Sequence, residues 1–192
     1  SLAIPLPVIS ALRGGPLAPP GVRRLAPSRL PMPEALLEAA AARGAAMPAV
    51  PGLTIRAGAR VEGLRLAAVA LAATGLAPAE VPAAAPLPAG LGPWLLASGL
   101  APVFSPALAA GETWSPPELP GYAGPWIALA GAEGLVEADP PPVDWTPPPL
   151  STEDRARLWR GEGKNGGGSG GQKTLWNWVR VPSQWDPTCM RF

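Results

Sequence analysis

Prolines interrupt this chain almost everywhere. They stand at positions 5, 7, 16, 19, 20, 27 and 31, at 82, 86, 88, 93, 102 and 106, and in two triplets, Pro140–Pro142 and Pro147–Pro149. Each proline fixes φ and removes a backbone donor, which bars it from helix interiors and from the middle of a sheet. Together the 29 prolines and 23 glycines make up roughly a quarter of the 192 residues, a level at which extended or low-complexity structure is the usual outcome. Yet 47% of the residues are hydrophobic and only 15% charged, the reverse of a disordered chain. A chain this apolar needs burial, and one this interrupted is expected to find it against other polypeptides.

The predicted fold is therefore a mostly irregular, extended chain. It has short helices at about 33–44, 63–75, 93–99 and 151–161, at most one or two isolated strands, and no single large core. Four regions follow from composition: a proline-rich arm (1–32), short helices joined by proline-rich connectors (33–161), a glycine-rich flexible linker (162–172) and a tryptophan-rich docking tail (173–192).

The clearest helix is PEALLEAAAARG, Pro33–Gly44. Pro33 suits its first position, Glu34 and Arg43 complement the dipole, and Gly44 is read as its left-handed stop. LTIRAGARVE, Leu53–Glu62, alternates apolar and polar residues, a half-buried strand pattern. With no second strand evident beside it, that strand is expected to add to the sheet edge of another chain. GLRLAAVALAATGLAP (Gly63–Pro78) reads as a helix apolar on nearly all sides. SPALAAG (Ser105–Gly111) reads as a brief helical turn, and ADPPPVDWTPPPL (Ala138–Leu150) as polyproline II. In STEDRARLWRG, Ser151 or Thr152 caps a helix that Gly161 ends. No helix is expected within 1–32.

One phrase occurs twice. LAATGLAP (Leu71–Pro78) returns as LLASGLAP (Leu95–Pro102). Gly75 and Gly99 are expected to take the left-handed conformation that closes a helix, with Leu76 and Leu100 folding back and Pro78 and Pro102 blocking resumption. GPWLLASG (Gly92–Gly99) has its own echo in GPWIALAG (Gly124–Gly131).

Eight tryptophans stand beside one tyrosine and two phenylalanines. Trp94, Trp114, Trp126, Trp145, Trp159, Trp176, Trp178 and Trp185 are read as anchors docking the chain onto partner surfaces, where tryptophan is enriched. The competing reading is a small core of the chain's own.

Catalytic and metal chemistry find no pattern. There is no histidine and one cysteine, Cys189, which removes Cys/His zinc sets and histidine-based triads. Glu153 with Asp154 is explained by helix capping, and Asp139 with Asp144 flanks a proline run. Gly166–Gly171 lacks the lysine and strand of a phosphate loop. No cofactor and no metal site is predicted. The net charge of +1 draws in neither nucleic acid nor anionic lipid. Prolines divide the uncharged run from Val81 to Gly111, which argues against a transmembrane span and leaves peripheral membrane contact through about 64–111.

The function expected from these features is a noncatalytic structural or accessory subunit that wraps over and tethers the other protein subunits of a large assembly. The first residue, Ser1, is read as a processed end or the start of a fragment. An organellar complex (respiratory, photosynthetic or ribosomal, in a mitochondrion or plastid) suits that reading. The alternative is a capsid-associated or cement component of a virus particle.

Overall fold

The computed structural model describes residues 4–26, 32–47 and 52–154. The chain divides into two units, Ser1–Pro149 and Leu150–Phe192. In chain order the first carries α1 (Leu6–Leu12), β1 (Arg23–Arg24), α2 (Glu34–Ala46), β2 (Gly52–Arg56), α3 (Arg60–Ala72), β3 (Ala77–Val81), α4 (Leu91–Ala97), β4 (Leu100–Phe104), β5 (Thr113–Trp114), β6 (Trp126–Ala130), β7 (Leu135–Val136) and β8 (Val143–Trp145). Six strands form one sheet in the order β1-β3-β4-β6-β2-β8, and β5 pairs with β7. This overturns the expectation of an extended chain with isolated strands and no large core: the unit is an α/β domain built on one mixed sheet.

The prolines permit this because most sit where no backbone donor is needed. Pro5 and Pro33 are the N-caps of α1 and α2, and Pro93 lies in the first turn of α4, where helical N–H groups have no intrahelical acceptor. α1 is thus a real helix in the stretch expected to hold none. Within β3, the Ala77 N–H bonds across to Gly99, while the Pro78 carbonyl accepts from Leu25 on the other side. The missing donor of Pro78 therefore faces the short edge strand β1. In β4, Pro102 precedes Val103, the first residue paired with β6.

All neighbours in the sheet are parallel except β1, which runs antiparallel to β3. The stretch read as an edge strand for another chain is the opposite. β2 lies inside the sheet, with Leu53 opposite Ile127 of β6 on one side and Val143 of β8 on the other. Its alternation ends at Arg56, and Arg60–Glu62 already belong to α3. The supposed polyproline segment contributes β8, whose Trp145 is buried. Ser105–Gly111 forms no helix.

The repeated phrase makes one junction twice. After α3, Leu76 N–H reaches back to the Leu71 carbonyl and Gly75 N–H to Ala72, with Gly75 at φ +78°. That is the Schellman closure. Gly99, at φ +63°, likewise bonds back to Leu96. Each phrase then launches a strand, and the two strands lie side by side in parallel, Ala77 opposite Leu100. The other echo diverges: Gly92–Gly99 contains α4 while Gly124–Gly131 contains β6.

Helices cover both faces. Val8 and Ala11 of α1 join Leu91, Trp94 and Leu95 of α4 over Ala79, Val81, Leu100 and Phe104. On the same side Ala128 and Ala130 pack beneath Val136, Leu108 and Trp114. Alternation sends Ile127 and Leu129 to the other face, with their register partners Leu53 and Ile55. There α3 approaches closely, Gly63 lying against Leu129. α2 crosses α3 at Gly44, where a Cβ would fall 1.9 Å from the Ala70 carbonyl oxygen. Gly44 is thus a contact glycine inside α2, not its stop. Leu53, Ile55, Leu66, Leu71, Leu95 and Ile127 are essentially inaccessible, and each such side chain contributes about 1.5–3 kcal/mol relative to exposure.

In the second unit, Ser151 caps the helical turn 152–154: Asp154 N–H donates to Ser151 Oγ at 3.0 Å. The continuation to Gly161, the glycine-rich linker and the tail lie outside the described residues. No helix among the described residues is long and apolar enough to cross a membrane.

Candidate functional site

The parallel strands β2, β4 and β6 end at the same edge of the sheet. Their exits diverge: β2 continues into α3 on the Leu129 face, while β6 runs into β7, whose Val136 packs on the Ala128–Ala130 face. A crevice forms between connections that leave adjacent parallel strands over opposite faces, the usual ligand position in open α/β sheets. Here it measures about 310 Å³. Its walls are Ala57, Arg60 and Gly63 from the β2–α3 side, Ser105, Pro106 and Ala107 after β4, and Leu129, Ala130 and Gly131 at the end of β6. Small residues leave the space: alanines and glycines make up most of the lining, and a Cβ on Gly131 would meet nothing within 4 Å.

Arg56, the last residue of β2, fixes one wall. Its Nε donates to Asp144 Oδ1 and Oδ2 at 2.9 and 2.8 Å, Nη1 to the Gly131 carbonyl at 3.0 Å and Nη2 to the Gly134 carbonyl at 3.1 Å. One guanidinium thus joins β2, the turn after β6, and β8.

Arg60 opens α3 and pairs with Glu80 Oε1, while Arg23 takes Glu80 Oε2 at 2.6 Å. Two guanidiniums share one carboxylate, so the group keeps one positive charge. Three buried side-chain polar atoms among the described residues have no hydrogen-bond partner: Thr54 Oγ1, Arg65 Nε and Ser105 Oγ. Of these residues, only Ser105 lines the crevice. No group of three or more metal-ligating side chains converges among the described residues.

The structure places four of the eight tryptophans. Trp94 is fully buried in α4, its Nε1 donating to the Leu17 carbonyl at 3.0 Å, with Arg24 above its ring at 5.4 Å. Trp114 is half-buried, bonds the Ala83 carbonyl at 2.7 Å and leans on Phe104 at a centroid distance of 5.4 Å. Trp126 packs at the margin of both apolar clusters. Trp145 is 6% exposed, with Arg43 at 6.0 Å from its ring. These four indoles contribute to the domain's own interior. Trp159, Trp176, Trp178, Trp185 and Cys189 lie outside the described residues.

A second hollow, about 340 Å³, lies between Leu87, Gly90 and Leu91 on one side and Pro117, Glu118 and Pro120 on the other. It is lined mainly by prolines and apolar side chains, with Glu118 its one ionisable group.

Sequence reasoning gives Arg60 no functional role and places Ser105 only at the start of a brief helical turn, which the structure does not form. The signal for Arg60 is the order strand, glycine turn, helix in TIRAGARVEG, masked by an apolar–polar alternation that runs on to Glu62. Comparisons of the chain with protein-family models, with curated proteins and with solved structures gave no match.

Proposed function

We propose that the α/β domain is a noncatalytic ligand-binding module that takes a small molecule in the crevice at the ends of β2, β4 and β6. The observation carrying this reading is position. The hollow sits where the onward connections of β2 and β6 part to opposite faces, and its volume is at the lower end of the range of about 300–1,000 Å³ that suits small ligands. The role is binding because the walls offer one arginine, one serine and otherwise apolar or small residues, with no base beside the hydroxyl. The test is a screen of the full chain against a chemically broad set of small molecules, read by backbone amide shifts. Supporting binders move Ala57, Gly63 and Gly131 and are displaced by Ala107→Trp, which fills the exposed rim. A screen in which no compound moves those amides overturns the reading.

A structural-subunit role is a second proposal, now with a different basis. The tryptophans described are committed internally, but Leu6 and Leu12 on α1 and Leu96 on α4 are 72%, 70% and 56% exposed, and those two helices pack together. These leucines are the candidate contacts for a partner subunit, in an organellar complex or a virus particle. Crosslinking in the native source followed by mass spectrometry tests it. Partner peptides linked near α1 and α4 support it, and a chain that migrates alone there defeats it.

A further inference from the structure

We infer that the crevice is built for an anionic group, a phosphate or a carboxylate, held between the first turn of α3, Arg60 and the Ser105 hydroxyl. The inference rests on the reading above that the crevice is a ligand site, and it specifies which chemistry that ligand carries.

Three independent features converge there. The first is an open helix start. α3 has thirteen residues, and its N-cap, Ala59, makes no side-chain cap bond. The first intrahelical bonds run from Glu62 and Gly63 to the Ala59 carbonyl, so the N–H groups of Arg60 and Val61 precede the ladder. Such donors, at the positive end of the dipole, favour an anion.

The second feature is charge. Arg60 reaches the crevice wall, and Glu80 does not fully neutralise it because Arg23 claims the other carboxylate oxygen. The sole acidic side chain of α3, Glu62, is absent from the crevice lining.

The third feature itself calls for a ligand. Ser105 Oγ exposes less than 1 Å² and has no partner. A buried hydroxyl without a hydrogen bond is costly. Ser105 directly follows β4, and the alternation Ala101, Val103, Ser105 directs it to the α3 face, the face where Gly63 meets Leu129. Rotation about its χ1 gives the hydroxyl a partner when an anion oxygen enters. Thr54 and Arg65 hold orphaned atoms too, but neither residue lines the crevice.

The experiment titrates the full chain with inorganic phosphate, with acetate and with glycerol, following backbone amides. Saturable shifts of Arg60, Val61 and Ser105 with phosphate or acetate, and none with glycerol, are expected; the tighter anion identifies the group. Arg60→Gln and Ser105→Ala should each weaken that binding roughly tenfold or more. Ser105→Ala removes an unsatisfied hydroxyl, so the free variant should melt no lower than the parent. A lower affinity without lower stability is what a merely structural serine would not give. Shifts that never saturate and appear at all the arginines alike overturn the inference as ionic screening. Neutral compounds from the wider screen moving Ala57, Gly63 and Gly131 while both anions fail also overturn it, yet leave the ligand site standing. If nothing binds, both fall.

Discussion

Arg56 and Asp144 are 88 residues apart in the chain and meet through Nε at 2.9 and 2.8 Å, one from inside the sheet and one from its edge strand. The two ends of this contact are unequal. The Arg56 side chain is 12% exposed and Asp144 49%. The carboxylate is half in water, so the ion pair alone is worth about 0–1 kcal/mol. The arginine also satisfies the carbonyls of Gly131 and Gly134. Asp144→Asn should therefore cost about 0.5–1 kcal/mol, whereas Arg56→Ala should cost more, about 1–3 kcal/mol, because it also leaves the part-buried Gly134 carbonyl without its donor. Urea denaturation of both variants checks the order; equal losses would mean that the carbonyl bonds contribute nothing.

The crossing of α2 and α3 gives a sharper contrast. A Cβ at Gly44 would fall 1.9 Å from the Ala70 oxygen, while one at Gly58 would meet nothing within 4 Å. Gly44→Ala must push two helices apart and should destabilise by about 2–3 kcal/mol or more. Gly58→Ala should be neutral or stabilise by up to about 1 kcal/mol through the unfolded chain. Chemical denaturation of the pair measures both.

Helices α2 and α3 were legible because their signals are local: Pro33 at a start, Arg43 near an end, an apolar run between. The sheet was not, because its strands break local rules. β3 and β4 each contain a proline, and only the pairing directions show why Pro78 and Pro102 are tolerated. β6 was hidden by its likeness to α4: GPW followed by apolar residues becomes a helix before β4 and a strand between β4 and β2. Neighbours, not propensity, decide such a case. The candidate site was invisible for the same reason. Arg60, Ser105 and Leu129 are brought together only by strand order, and alternation across Ala57–Val61 disguised the turn that starts α3.

Trp94 separates an anchor from a core residue. It is fully buried, and its indole N–H is spent on Leu17. Trp94→Ala should cost about 3–5 kcal/mol, a large share of the roughly 5–15 kcal/mol that holds a typical domain folded. Trp94→Phe should be milder but leave the Leu17 carbonyl without its donor. Thermal denaturation followed by circular dichroism reads both. A stable Trp94→Ala protein would show that the domain does not depend on this indole.

Tyr122 is the only tyrosine, so its titration can be followed without overlap. Its hydroxyl donates to the Pro125 carbonyl at 2.8 Å, and burial pushes its pKa above the usual phenol value. The folded state therefore holds this proton more tightly than the unfolded state. The resulting stability is complete below the unfolded pKa of about 10 and declines as pH rises past it, because only the unfolded chain then gains by releasing the proton. Phenolate absorbance should stay absent in the native protein beyond pH of about 10 and appear together with loss of the circular dichroism signal. Tyr122→Phe should lower stability at neutral pH by about 1 kcal/mol through the lost hydrogen bond and flatten the alkaline decline. A phenolate band that rises at the ordinary value while the fold is intact would show that Tyr122 is open to water.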